Sequence, residues 1–189
     1  MIAVIDYNCG NPRSVINMIN RIGEEAILTR DKKKIFEATK VIIPGVGSFD
    51  HGMSSLKKFD LHDMLKEIAN NGKPILGICL GMQLLGLSSE EGEQEGLGLI
   101  DATFHKFNNY NIEIKVPHVG WNDVQIAQNS ILFKQKKGIE SRFYFVHSYY
   151  VNAAHENVVL SRTTYEGVDF CSSITNNSNI FATQFHPEK

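Results

Sequence analysis

The sequence predicts an α/β protein with a central, mostly parallel β-sheet, flanking helices and an added antiparallel β portion in the C-terminal half. In the first 85 residues, short apolar runs alternate with helical spacing of apolar residues, which is typical of β-α-β units. From about residue 102, patterns rich in β-branched and aromatic residues follow one another. Between these halves, a glycine-flanked cysteine stands where a buried strand gives way to a helix.

The sequence pattern of the N-terminal half predicts alternating strands and helices. Buried strands are expected at 1–5, 26–28, 41–43 and 74–78, and a loop rich in turn residues at 7–12. Apolar residues at helical spacing predict helices at 14–22, 35–38, 50–56 and 61–70, and a helix beginning at Leu80. Such an order predicts parallel strands with helices on both faces of the sheet.

The sequence pattern of the C-terminal half predicts β-strands joined by turns. Strands are expected at 103–107, 112–116, 124–126, 143–151, 158–163, 168–174 and 180–184. Asn-rich stretches at 108–111 and 176–179 predict hairpin turns. The acidic stretch at 90–95 predicts a solvated loop.

Composition limits the classes of function. A chain of 189 residues with 42% hydrophobic content fits one domain over 1–189, and a net charge of −2 gives no sign of nucleic-acid binding or of an anionic membrane partner. No apolar run could span a bilayer, and the N-terminus lacks the features of a signal peptide. The three widely spaced cysteines form neither a disulfide framework nor a metal pattern. We therefore expect a cytoplasmic protein with no metal and no cofactor.

The stretch Gly77-Ile-Cys79-Leu-Gly81 has the spacing of a nucleophile elbow, with Cys in place of Ser. Glycines are needed because so sharp a strand-to-helix turn leaves no room for Cβ atoms beside the nucleophile. The turn would present the sulfur at the end of the sheet, near a helix N-terminus that favours a thiolate. A buried structural cysteine fits this pattern equally well.

The segment at 184–189 supplies the partners that a cysteine nucleophile needs. A strand leads into His186, and Glu188 lies two residues further on. In an extended segment, side chains at i and i+2 point the same way, and Pro187 stiffens the backbone between them. The two residues can therefore serve as a base and the group that orients it, whereas a surface His near a solvated Glu is the alternative. Together with Cys79 they predict a Cys-His-Glu triad.

Two further features accompany the predicted triad. The loop from Pro44 to Ser48 follows the third strand, and its glycines can expose backbone N–H groups as half of an oxyanion hole, although an ordinary tight turn explains it too. Gln83 lies one helical turn after Cys79, which brings its amide toward the same face, unless it is a surface glutamine.

The remaining histidines and cysteines, and the single tryptophan, are given structural interpretations. His118 and His147 lack a carboxylate at i+2 and are expected to be hydrogen-bonded structural residues. Cys9 and Cys171 stand in no elbow and are expected to be inert. Trp121 is either a core residue or an interface anchor.

The elbow Gly-Ile-Cys-Leu-Gly-Met-Gln at 77–83 and the Phe-His-Pro-Glu segment at 185–188 resemble the signatures of the class I glutamine amidotransferases. The resemblance runs along the whole chain. The stretches at 5–7, 116–122 and 144–149 look like the glutaminase subunits of imidazole glycerol phosphate synthases.

This resemblance implies roles for particular residues. Cys79, His186 and Glu188 would hydrolyse glutamine, Gly45, Gly47 and Leu80 would form the oxyanion and substrate site, and Gln83 would help hold glutamine. The ammonia would pass through a tunnel to a (β/α)₈-barrel cyclase in a heterodimer. Candidate interface residues are Asn11, Trp121 and Lys189.

Some positions depart from the family pattern. Asn8 and Pro12 stand where the family usually has Gly and Leu, in a loop that faces the partner, so the identity of the partner stays open. The family continues into a final helix after the position of Lys189, so we expect either a truncated chain or a protein without that helix. The alternatives are a paralogue that supplies ammonia to a sugar-modifying amidotransferase, a non-catalytic module of this fold and a cysteine peptidase of this fold.

Overall fold

The chain is organised around one mixed β-sheet. The computed structural model describes residues 1–107, 114–128, 130–133 and 141–189, and within them eleven strands form this sheet and two form a separate ribbon. The main sheet contains β1 (Ile2–Ile5), β2 (Ala26–Thr29), β3 (Lys40–Ile43), β4 (Ile75–Ile78), β5 (Ser88–Ser89), β6 (Ala102–Lys106), β8 (Gln125–Ile126), β10 (Tyr149–Ala153), β11 (Val159–Tyr165), β12 (Val168–Thr175) and β13 (Ile180–Thr183). The ribbon contains β7 (His118–Asp123) and β9 (Arg142–His147).

Five α-helices flank the sheet in the described part of the chain: α1 (Pro12–Arg21), α2 (Lys32–Glu37), α3 (Phe49–Lys58), α4 (His62–Asn70) and α5 (Leu80–Leu85). Alternation along β1 assigns the two faces, since Ile2 and Val4 pack with α1 residues while Ala3 and Ile5 pack with the residues of α3, α4 and α5. Both faces of β1 are therefore buried, which explains its continuous apolar sequence.

The parallel part of the sheet has the order β2-β1-β3-β4-β13. The last strand of the chain therefore lies beside the strand that precedes Cys79. Its register pairs Ile78 with Thr183 and places the residues after both strands at one edge of the sheet. The carboxyl ends of parallel strands are where open α/β sheets bind ligands.

The antiparallel portion predicted for the C-terminal half is confirmed. β12 pairs antiparallel with β10, β11 and β13, and β10 pairs antiparallel with β6. The turn predicted at 176–179 joins β12 to β13, as expected. The turn predicted at 108–111 lies outside the described residues.

Two expectations for the strands are wrong, and one strand of the ribbon was not expected. The strand predicted at 112–116 begins outside the described residues, and 114–116 are not in a strand. The expected single strand at 143–151 is two strands interrupted at Ser148. β7 was not expected, because its more buried positions are occupied by His, Gly and Asn and not by the apolar residues that usually mark the inner face of a strand.

Helix boundaries differ from expectation where caps outweigh apolar spacing. Asp31 accepts hydrogen bonds from the N–H groups of Lys33 and Lys34 at 2.9 and 3.3 Å, so α2 begins three residues before the predicted start at Ile35. α1 begins at Pro12, whose lack of an N–H costs nothing in the first helical turn. Within the described residues, no helix is both long and apolar enough to cross a membrane.

The ribbon of β7 and β9 is anchored by an aromatic cluster. Phe107, Phe145, Phe170 and Phe185 are buried together, and Phe143 stacks on Phe185 with ring centroids 4.2 Å apart. Because Phe185 directly precedes His186, this cluster fixes the backbone of the predicted catalytic segment.

Candidate active site

Cys79 occupies a strained turn between β4 and α5. Its φ is +53° and its ψ is −106°, a conformation that L-residues rarely adopt. The Cys79 N–H donates to the Thr183 carbonyl at 2.8 Å, which ties the turn to β13. A Cβ on Gly77 would lie 2.6 Å from the Gly81 carbonyl oxygen, so the strand and the helix approach too closely for any other residue. This is the geometry expected of a nucleophile elbow, with strain held by the surrounding structure.

His186 lies just beyond β13, in the position expected for a base. Its N–H donates to the Tyr144 carbonyl at 2.9 Å, which attaches the segment to β9. Its Nδ1 lies 2.9 Å from Oε1 of Glu188, and both side chains are at least 90% buried. The carboxylate therefore accepts a hydrogen bond from Nδ1–H, which leaves Nε2 available to interact with Cys79.

The charge state of His186 follows from its neighbours. Burial by itself lowers its pKa, but interaction with Cys79 and with Glu188 outweighs burial and raises the pKa to about 9. Cys79 and Glu188 each raise this pKa both by hydrogen bonding to the ring and by charge. The arrangement favours a charged imidazolium beside the sulfur.

The sulfur has two polar contacts besides His186. Sγ lies 3.8 Å from the Val146 carbonyl, and Nε2 of Gln184 donates toward Sγ at 3.6 Å. The predicted triad members thus come together from two neighbouring strand ends, with β9 on their other side.

The loop after β3 is held by backbone and side-chain contacts. The Tyr7 hydroxyl donates a short hydrogen bond to the Pro44 carbonyl. The Leu80 N–H, a predicted oxyanion donor, donates to the Gly45 carbonyl at 3.3 Å. Gly47 has φ +140°, which glycine tolerates best. Leu80 must release Gly45 before it can donate to a substrate oxyanion.

A cavity of about 240 Å³ opens beside the sulfur. Of the predicted substrate residues, Gly47, Leu80 and Gln83 line it, while Gly45 lies on the far side of the loop. Sequence reasoning missed the remaining polar lining, which is formed by Glu91, Ser148, Tyr149 and His147.

Glu91 is the exception in the acidic loop, which was expected to be solvated and in which Glu90, Glu93 and Glu95 are exposed. Its carboxylate accepts the Phe49 N–H at 2.9 Å, and Asp50 accepts the N–H groups of Glu93 and Gln94 at 3.1 and 3.0 Å. Burial raises the pKa of Glu91, the Phe49 hydrogen bond lowers it, and the charge of Asp50 raises it. The acidic loop is packed on α3, and one carboxylate faces the cavity. The sequence indicated only an acidic stretch at 90–95. It did not indicate which carboxylate would form a hydrogen bond with α3.

His118 and His147 form a buried, hydrogen-bonded pair, as expected for structural histidines. The Tyr149 carbonyl lies 2.7 Å from His147 Nδ1 and can only accept, so His147 Nε2 must accept from His118 Nδ1 at 2.9 Å. Asn122 Nδ2 lies 3.3 Å from His118 Nε2 and completes the chain. Burial lowers the pKa of His118 to about 4 and that of His147 to about 3, so both rings are neutral.

The predicted interface residues lie on the other side of the triad. Asn11 and Lys189 line a second cavity of about 140 Å³ together with His186 and Glu188. Trp121 is 54% exposed on β7, so it is not a core residue, and its ring packs edge-on against Tyr144 at 6.0 Å.

The other sites considered are accounted for within the described residues. Cys9 and Cys171 are buried free thiols, and burial raises the pKa of each. No three His, Cys, Asp or Glu side chains in the described ranges come together as a metal site would require.

Comparison with known proteins places the chain in a family. The model of "Glutamine amidotransferase class-I" matches residues 3–189. The chain is 50% identical over its whole length to a Methanococcus maripaludis protein named "Imidazole glycerol phosphate synthase subunit HisH 2", and 45% identical to a Pseudomonas aeruginosa protein of the same name. In both cases it covers 92% of the relative.

Solved structures agree on the fold. A structure described as "Crystal structure of glutamine amidotransferase" matches with a TM-score of 0.76 at 19% identity, covering all of this chain and 91% of that one. "Structure of PurLQS from Thermotoga maritima" matches with a TM-score of 0.73 at 20% identity, covering 99% of this chain and 87% of that one. With a family model spanning nearly every residue and an elbow of matching geometry, the chain belongs to the class I glutamine amidotransferases.

Proposed function

We propose that this chain is the glutaminase subunit of an imidazole glycerol phosphate synthase, acting as a single domain over 1–189 in the cytoplasm. The observation that carries the chemistry is the 2.9 Å contact between His186 and Glu188 beside the strained Cys79. The names of the full-length relatives support the assignment of the synthase. Glutamine is the substrate, and glutamate and ammonia are the products.

In the first half-reaction, the Cys79 thiolate attacks the side-chain carbonyl carbon of glutamine. A C–S bond forms, and the carbonyl electrons move to oxygen. Backbone N–H groups at Gly47 and Leu80 would hold this oxyanion once Leu80 releases Gly45. Loss of one such donor typically lowers the rate by ~10²–10³. His186 gives its proton to the amide nitrogen, the C–N bond breaks, and ammonia leaves.

In the second half-reaction, water hydrolyses the glutamyl thioester. Neutral His186 takes a proton from the water as its oxygen attacks the carbonyl carbon, and Cys79 leaves as a thiolate. Glu188 keeps the imidazole oriented in both steps and stabilises its charged form. No cofactor is needed, because each proton taken is returned within the cycle.

The two cavities suggest how substrate and product are separated. The cavity with Gln83 and Glu91 offers an amide and a carboxylate to the polar groups of glutamine. The second cavity reaches the far side of His186, toward Asn11 and Lys189. We propose that ammonia leaves on this side, toward a (β/α)₈-barrel cyclase that docks over Asn11, Trp121 and Lys189 in a heterodimer.

The experiment measures ammonia release from glutamine by the purified chain, alone, with the cyclase subunit of the same organism, and with the cyclase and its ribonucleotide substrate. We expect stimulation by the cyclase that disappears in Cys79→Ala. Cys171→Ala is the matched control, because this buried thiol lies in β12 away from the elbow. Cys79→Ala turning over glutamine at the parent rate would end the proposal.

The same assay separates the alternatives. Turnover that requires Cys79 but ignores the cyclase would assign the chain to another synthase, with a sugar-modifying amidotransferase tested next. Absence of turnover under every condition would favour a non-catalytic module, which the intact Cys79, His186 and Glu188 argue against. Cleavage of peptides in place of glutamine would identify a cysteine peptidase.

A further inference from the structure

Gln184 lies beside the sulfur of Cys79, yet nothing in the proposed cycle uses it. It directly follows β13, whose Thr183 is paired with Ile78 of β4, so the register sets Gln184 next to Cys79 across the sheet. Its side chain is fully buried, and Nε2 lies 3.6 Å from Sγ. This is a donor aimed at the reacting atom from a rigid strand end.

The other contacts of the sulfur cannot take over this role. The Val146 carbonyl at 3.8 Å can accept a hydrogen bond from a thiol, but it has no hydrogen to donate to a thiolate. His186 interacts with Cys79 by hydrogen bonding and by charge, but it must also carry the proton that the reaction moves, so it is not a fixed donor to the sulfur. Among the described residues, Gln184 is thus the one whose side-chain amide N–H is aimed at Sγ and takes no other part in the proposed reaction.

The other end of the amide indicates that Gln184 is not present for packing. Its Oε1 is buried without a hydrogen-bond partner in the described part of the structure. A buried acceptor without a partner costs free energy that an apolar side chain of the same size would avoid. A buried group of this kind in a native structure calls for an explanation, and a catalytic role is one that fits its place beside the sulfur.

We propose that Gln184 is a further catalytic residue, whose Nε2–H group donates a hydrogen bond to the Cys79 sulfur and stabilises it as a thiolate. A hydrogen bond to a charged acceptor is roughly twice as strong as one between neutral groups. The contact acts twice in each cycle, when the thiolate attacks and when it leaves from the thioester. The inference rests on the proposed glutaminase function and adds a residue to it.

Several titratable groups surround this contact and must be kept constant in its test. His186 and Glu188 follow β13, and His147 approaches from β9. Tyr7 lies beneath the elbow and interacts with both Cys79 and Cys9. Because substitution of Gln184 leaves all of them in place, a change in sulfur reactivity reports on the amide.

The test is the pH dependence of Cys79 alkylation by iodoacetamide, followed by the mass of the Cys79-containing peptide. Gln184→Met keeps the length of the side chain and removes the donor. We expect the midpoint of alkylation to rise by about one pH unit, so that alkylation at pH values below the parent midpoint is about tenfold slower. For glutamine turnover, kcat should fall by a similar factor with little change in KM.

Two further variants keep the proposal falsifiable. Thr183→Val is the matched control, since it removes a buried hydrogen bond to the Phe185 carbonyl at 3.0 Å without touching the sulfur, and it should leave the midpoint unchanged. Gln184→Asn retracts the amide by one methylene and should raise the midpoint, which keeps the test open if the Met variant does not fold. An unshifted midpoint in either folded Gln184 variant overturns the proposal.

The alkylation readout separates this inference from the proposed function. If the parent chain hydrolyses glutamine while Gln184→Met alkylates like the parent, only the role of Gln184 is wrong. If the parent chain does not hydrolyse glutamine under any condition of the ammonia assay, the proposed function fails whatever the alkylation profiles are.

Discussion

The close contact between β4 and α5 makes Gly77→Ala an informative perturbation. The added Cβ would lie 2.6 Å from the Gly81 carbonyl oxygen, 2.7 Å from its carbon and 2.6 Å from Leu85 Cδ1. An ordinary carbon-to-oxygen contact is about 3.3 Å, so α5 must move by about 0.7 Å or β4 must bend. Gly77 sits between β3 and β13, paired with Ile43 and Ala182, so the strand cannot yield easily.

The size of the effect follows from what the new methyl group meets. Overpacking of a core costs about 1–3 kcal/mol, and we expect the upper end because the obstacle is backbone. With a urea slope of about 1–3 kcal/mol/M, the unfolding midpoint should fall by roughly 1 M or more. Because Cys79 lies between the two displaced elements, kcat should fall by between about 10-fold and 100-fold.

The assay is urea unfolding followed by fluorescence, with glutamine turnover measured on the same preparation. Gly23→Ala is the matched control, because a Cβ there meets no atom within 4 Å and the only penalty is its φ of +87°. That penalty is about 1–2 kcal/mol and should leave kcat unchanged. A Gly77→Ala protein with the midpoint and kcat of the parent would refute the steric reasoning.

Three further predictions concern the site and its surface. Glu188→Gln removes the charge of one of the two residues, Cys79 and Glu188, that together raise the pKa of His186 to about 9. The stability that this raised pKa contributes is present below pH 6.5 and is lost as pH rises through 9. The urea midpoint should therefore fall less between pH 6 and pH 9.5 in the variant than in the parent. An equal fall in both proteins would contradict this. Glu91→Gln should raise KM for glutamine about tenfold with a smaller change in kcat. The control Glu95→Gln, at an exposed position, should change neither constant. An unaltered KM in Glu91→Gln would exclude Glu91 from substrate binding. Trp121→Ala should weaken binding of the cyclase by about 10-fold to 100-fold without changing the melting temperature, and undiminished affinity would place the interface elsewhere.

The predictions that held rest on local chemistry. The order of strands and helices up to Leu85 followed from apolar periodicity, because each element buries a face that its own residues mark. The elbow followed from Gly77 and Gly81, because only glycine fits so tight a turn. The 2.9 Å contact of His186 with Glu188 followed from their spacing across Pro187.

The predictions that failed involve contacts between distant parts of the chain. Glu91 was expected to be solvated, but the N–H of Phe49, 42 residues away, holds its carboxylate against the cavity. The break at Ser148 was not visible, because apolar and aromatic residues continue on both sides of it. β7 became visible only as the partner of β9, since no apolar alternation marks it.

By itself, the sequence determined the residue types that the chemistry needs, the turn that places Cys79 at the end of β4, and the fold class, because these depend on spacing within short segments. Only the tertiary structure decided which residues surround the sulfur. β13 comes more than 100 residues after β4, and its insertion beside β4 brings Gln184 and His186 to Cys79. The pairing of two distant strands depends on the register and packing of the whole sheet, which no local pattern specifies.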